Sequence, residues 1–113
     1  MRPLIEHLDT ETLDWEPIEG VEGLWQKTLS FDEETGDYSR LLKIAPAFRS
    51  DAVLMHDFCE EVLIVSGSVY DHTSQKLFKA GDYSHLPPGT KHGPFTSEEG
   101  CITFEIHFGM PRD

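Results

Sequence analysis

Two short segments constrain this chain more than anything else in it: His56 to Gly67 (HDFCEEVLIVSG) and Gly81 to His92 (GDYSHLPPGTKH). The first sets an imidazole and a carboxylate, His56 and Glu60, at the entrance to a β-branched run that closes at Ser66-Gly67. The spacing would also suit one face of a helix. The run after Glu60 is strand-forming, however, and places His56 at the end of one strand and Glu60 at the start of the next. The second segment is a strand closed by Pro87-Pro88-Gly89; the prolines fix the backbone and the glycine supplies the bend that delivers His92 at a defined angle. Two histidines and a carboxylate reaching one place from two strands suit a divalent transition metal (iron, zinc or manganese) with a coordination position left open.

These segments resemble the two signature motifs of the cupin family of small β-barrels. In the first motif, Gly-x5-His-x-His-x3-4-Glu-x6-Gly, the second histidine, the glutamate and the closing glycine fall on His56, Glu60 and Gly67. The second, Gly-x5-Pro-x-Gly-x2-His-x3-Asn, is met at Gly81, Pro87, Gly89 and His92, with Thr96 in place of the final asparagine. The resemblance implies an all-β, single-domain jelly-roll barrel with a metal held by His56, Glu60 and His92. Leu54 stands where the family has its first histidine. That leaves three alternatives: water fills the position, His107 or His85 reaches in from a neighbouring strand, or the site has lost its metal.

A narrower resemblance is to single-domain cupins that include acetylacetone-cleaving and dihydroxyacetophenone-cleaving dioxygenases and the cupin half of certain anti-sigma factors. It rests on Trp15, Glu60-Glu61-Val62-Leu63, Asp71 and Gly100-Cys101. It implies a metal-dependent enzyme acting on a small carbonyl-containing or oxygen-rich molecule, with dioxygenase cleavage of a carbon-carbon bond as one form. The alternatives are a non-catalytic metal- or ligand-binding module of sensor type, and a metal-free isomerase-like cupin using His56 and Glu60 as acid and base.

Around these motifs the chain reads as an acidic, irregular arm over residues 1–20 and a barrel over residues 21–113. The arm is expected to lay Trp15 across the barrel or onto a partner subunit. Leu24 to Phe31 and Tyr38 to Ala45 form a hairpin whose turn contains Gly36. Leu54 shares a face with His56, so both are expected to point inward together. Gly67 is expected to turn the chain into Ser68. Glu60, Val62 and Ile64 share one face of their strand and Leu63 and Val65 the other. Apolar residues on both faces imply cover on both sides, from the N-terminal strands or from a second subunit, which predicts a homodimer. Cys101 to Phe108 alternates between Ile102, Phe104, Ile106 and Phe108 on one face and Thr103, Glu105 and His107 on the other. If the polar face lines the interior, His107 joins the site; if the apolar face does, His107 is merely exposed.

Charge narrows the partners. Nine Lys and Arg against 21 Asp and Glu give a net charge of -12, which repels nucleic-acid backbones and anionic membranes. No window approaches the roughly 18 apolar residues of a membrane span, and the N-terminus has no signal-peptide core. With only Cys59 and Cys101 there is no disulfide framework. The expected setting is cytoplasmic, and the expected partner is a small-molecule substrate.

Overall fold

The computed structural model describes residues 1–112. A short 3-10 turn (Thr10–Thr12) precedes eleven strands: β1 (Glu16–Pro17), β2 (Leu24–Phe31), β3 (Tyr38–Ile44), β4 (Phe48–Arg49), β5 (Leu54–Met55), β6 (Cys59–Asp71), β7 (Lys76–Lys79), β8 (Tyr83–Leu86), β9 (Lys91–His92), β10 (Phe95–Ser97) and β11 (Cys101–Phe108). Nine of them form one curled sheet in the order β1-β2-β3-β11-β6-β10-β4, with β7 and β8 also paired to β6, while β5 and β9 pair with each other. The hairpin expected around Gly36 is β2-β3, paired from Leu24 opposite Ile44 to Phe31 opposite Tyr38.

β6 is the strand that makes this a barrel. Its first half lies between β11 and β8, and its second half pairs with β7 and β10. The change of neighbours falls at Gly67, so the expected turn is instead a bend inside one 13-residue strand. A strand that switches sheets at a bend is how two sheets share a corner. Only glycine fits there: φ is +74°, and a Cβ would stand 2.0 Å from the carbonyl oxygen of Gly100.

The interior is apolar at one end and polar at the other. Leu42, Ile44, Phe48, Ile64, Val69 and Cys101 form the buried apolar cluster. Further along β11, on the same face as Cys101, the side chains are Thr103, Glu105 and His107, all buried. The alternation anticipated in β11 therefore resolves with its polar face inward. Both cysteines are free, at opposite ends of the β6-β11 ladder: Cys101 pairs with Gly67 and Cys59 with Phe108.

The N-terminal residues cover the outside of the β2-β3 hairpin. Trp15 receives Lys27 Nζ at 4.6 Å and Lys43 Nζ at 5.4 Å from its ring centroids. Lys27, buried, also donates to the Thr10 carbonyl at 2.8 Å. This cover does not extend to the outer face of β6, where Leu63 remains 42% and Val65 50% exposed. Among the described residues no helix is long and apolar enough to cross a membrane.

Candidate metal centre

The polar end of the interior is built from strands far apart in sequence. In the β6-β11 register Glu60 stands opposite His107 and Val62 opposite Glu105, and in the β3-β11 register Tyr38 faces His107 and Arg40 faces Glu105. Directly opposed residues share a face of the sheet, so Glu60, His107, Glu105, Tyr38 and Arg40 all point inward. His107 Nε2 lies 2.9 Å from Glu60 Oε2 and 2.9 Å from Glu105 Oε1. Its other nitrogen, Nδ1, shares a 3.1 Å hydrogen bond with the Tyr38 hydroxyl.

The two motif histidines arrive from the small β5-β9 pair. Gly89 N–H donates to the His56 carbonyl at 2.8 Å, tying the proline turn to the loop that carries His56. Past His92, the buried Asp71 carboxylate accepts the Gly93 and Thr73 amides, each at 2.9 Å, and holds that segment in place. The rings of His56 and His92 come within 5.0 Å of each other, and those of His56 and His107 within 6.4 Å, centroid to centroid. Among the described residues no hydrogen bond engages a ring nitrogen of His56 or His92. Phe58 stacks on His56 at 4.6 Å and lies 5.2 Å from His107. His56 and Phe58, with Met55, Asp57, Pro88 and Gly89, line an open depression of about 600 Å³.

Of the positions singled out from the sequence, Glu60 and His107 meet directly, while His56 lies beside His107 and His92 beside His56, outside the cluster of ligand atoms that Glu60 and His107 form with Glu105. His85 does not join them. It pairs opposite Glu61, on the outer face of the sheet, exposed and stacked near Phe108. Leu54, expected to point inward with His56, sits opposite His92 at the rim and is 43% exposed.

Sequence reasoning did not anticipate the Arg40–Glu105 pair. Arg40 Nε and Nη2 each reach Glu105 Oε1 at 2.9 Å, and Arg40 Nη1 donates to Gln26 Oε1 at 2.9 Å. The period-two alternation of Tyr38 and Arg40 put both on one face, but nothing local named their partners.

The electrostatics follow from this packing. Burial pushes the His56 imidazole below its ordinary pKa, against the pull of Glu60, which favours a neutral ring with a free lone pair. Burial acts the same way on His107, but hydrogen bonds to Glu105 and Glu60 outweigh it and raise that imidazole. Burial would raise the Glu105 carboxyl. The hydrogen bond from His107 and the charge of Arg40 overcome this and hold it well below the usual carboxylate value.

Ligand-type atoms of Glu60, Glu105 and His107 all lie within 4.8 Å of one another. Donors ~2.1 Å from one cation and at right angles to each other are ~3 Å apart, so the 2.9 Å between His107 Nε2 and Glu60 Oε2 is a spacing two neighbouring ligands would have.

The model of the ChrR Cupin-like domain matches residues 6–110, and the chain belongs to that family. No protein among those of curated function matches it. Solved structures with the same fold include an RmlC-like cupin from Shewanella frigidimarina (TM-score 0.74, 22% identity, covering 95% of this chain and 93% of that one). An RmlC-like cupin from Ralstonia eutropha is similar at TM-score 0.76 and 23% identity, over 91% of this chain and 68% of the other. An acetylacetone dioxygenase from Acinetobacter johnsonii matches with TM-score 0.78 and 17% identity, over 95% of this chain and 76% of its own. The fold is that of a cupin.

Proposed function

We propose that this cupin domain holds a divalent transition metal through His56, Glu60, His92 and His107 and acts on a small carbonyl-containing molecule. The observation that supports the reading is the contact of His107 Nε2 with the buried Glu60 carboxylate, with the His56 ring 6.4 Å from that of His107 and 5.0 Å from that of His92, and with the ring nitrogens of His56 and His92 engaged by no hydrogen bond among the described residues. The donor set fits: imidazole and carboxylate together suit iron, zinc or manganese, and four protein ligands leave room for substrate on a six-coordinate ion. Bound there, the metal would supply Lewis acidity toward a substrate carbonyl and, if it is iron, a place for dioxygen.

The chain's own residues do the rest. Tyr38 holds His107 by its Nδ1, which leaves Nε2 to face the site. Phe58, Met55 and Pro88 give the depression an apolar wall, which favours a substrate with an apolar arm. The likeness in fold to an acetylacetone dioxygenase supports testing β-diketones first. The exposed apolar residues Leu63, Val65 and Tyr83 on the outer face support a homodimer formed through that face.

Elemental analysis of untagged protein tests the centre, with Glu60→Gln and His92→Ala as controls. About one iron, manganese or zinc per chain, lost in both controls, is expected. A wild-type protein that stays metal-free after reloading would end the reading. Oxygen uptake with β-diketones and hydroxyketones then separates an enzyme from a binding module, which would retain metal and consume nothing.

A further inference from the structure

We propose, on the reading that His56, Glu60, His92 and His107 hold a divalent metal, that Arg40 decides which carboxylate the metal meets: by holding Glu105, it leaves Glu60 as the sole acidic ligand. Distance alone does not separate the two acids. Both have an oxygen 2.9 Å from His107 Nε2, and both are buried, at 6% and 5% exposure. Their partners differ. Glu105 Oε1 takes Arg40 Nε and Nη2, and Glu105 Oε2 takes the Thr103 hydroxyl at 2.9 Å. Among the described residues, Glu60 has His107 as its only side-chain partner.

The guanidinium is itself immobilised. It projects from β3, is anchored on β2 through Gln26, and its target lies on β11. A two-pronged guanidinium contact is directional and not matched by a lysine. To ligate a metal through Oε1, Glu105 would have to loosen both contacts with the half-buried Arg40, and through Oε2 it would have to give up Thr103, so either oxygen costs it a partner it already holds. Glu60 gives up nothing but its contact with an imidazole that would turn to the same ion.

The consequence is a charge count. One carboxylate on a divalent ion leaves the ligand set with a net positive charge, ready for an anionic substrate oxygen; two would neutralise it and favour oxygen-preferring ions over zinc. Arg40 is thus a positioning residue that sets metal preference without touching the metal.

The test compares Mn(II) and Zn(II) binding to the full chain after chelator treatment. Bound Mn(II) is read from loss of the aquo-ion electron paramagnetic resonance signal, and Zn(II) by competition with a chromophoric chelator. Arg40→Leu should raise the Mn(II)-to-Zn(II) affinity ratio by about tenfold or more. The double variant Arg40→Leu/Glu105→Gln removes both charges of the pair together, so it folds if the single variant does not, and its ratio should return to the wild-type value. Loss of metal in the double variant as complete as in Glu60→Gln would overturn the proposal, as would a raised ratio that survives in the double variant or no rise in a folded Arg40→Leu. Wild-type protein that takes up neither ion overturns the four-ligand reading beneath it, a different result from any of these.

Discussion

Leu54 stands directly opposite His92 in the β5-β9 ladder, so the family's first histidine position borders the candidate centre but contributes only an exposed aliphatic side chain to it. His107 approaches from the other side, on β11, with Nε2 against Glu60. Three outcomes follow. His107→Ala should strip metal as thoroughly as His92→Ala, and Leu54→His alone should change retention by less than about threefold, because the proposed set already counts His107 in that place. In the His107→Ala background, Leu54→His should recover metal by at least about tenfold. Dialysis against a graded chelator series reads all three; a His107→Ala protein that stays loaded would remove His107 from the ligand set.

Gly67 is tested by its backbone. Alanine there would combine a left-handed φ, worth roughly 1–2 kcal/mol, with a Cβ driven into the Gly100 carbonyl. Gly67→Ala is therefore expected to lose at least about 3 kcal/mol in urea unfolding or to fail to accumulate folded. A near-neutral result would mean that the β6 corner is not the rigid pivot described. Gly81→Ala is the contrast: it too has a positive φ, but its Cβ would meet nothing within 4 Å, and the cost should stay near the backbone term alone, about 1–2 kcal/mol.

These two sites also mark what could be read from the sequence. Gly67, Glu60, His56 and His92 carry their signal locally: a glycine after a β-branched run, a proline turn before a histidine, a fixed spacing. His107 carried half a signal. Alternation put it on one face with Glu105, but which face is interior depends on what packs against β11, a non-local fact. The sequence favoured neither, because Ile102, Phe104, Ile106 and Phe108 look like a core; here they lie half-buried on the outside while the polar face lines the interior. Arg40 and Glu105, 65 residues apart, were silent for the same reason, since strand order is set by the whole barrel. The bend at Gly67 was misread as a turn because a positive-φ glycine serves either purpose.

The cysteines should differ sharply in reactivity. Burial pushes the Cys101 thiol up to about 11, and the nearby Glu105 and Glu99 charges act in the same direction. At pH 8.5 only about one Cys101 in several hundred would be thiolate, and its sulfur is packed in the core. Cys59 lies half-buried on the other face of the sheet. Iodoacetamide labelling of the native protein at that pH is expected to modify Cys59 first, with Cys101 reacting only on unfolding. Two thiols of equal rate would show that the apolar end of the barrel opens on the labelling timescale.

The N-terminal arm is held by an arrangement that alanine scanning can resolve. Trp15 lies against Lys27 and Lys43, and Lys43 also approaches the Trp25 ring at 5.2 Å. Two like charges share one indole face region, so the aromatic quadrupole offsets a repulsion as well as providing packing area. Trp15→Ala should then cost about 2 kcal/mol, more than area alone, because it leaves the buried Lys27 ammonium with only the Thr10 carbonyl. Trp15→Phe, which keeps a weaker quadrupole, should restore roughly half of that. Replacing Lys27 with Met in the Trp15→Ala background separates the contributions: recovery of stability would assign the loss to the stranded ammonium, and no recovery would assign it to lost packing of the arm on the β2-β3 hairpin.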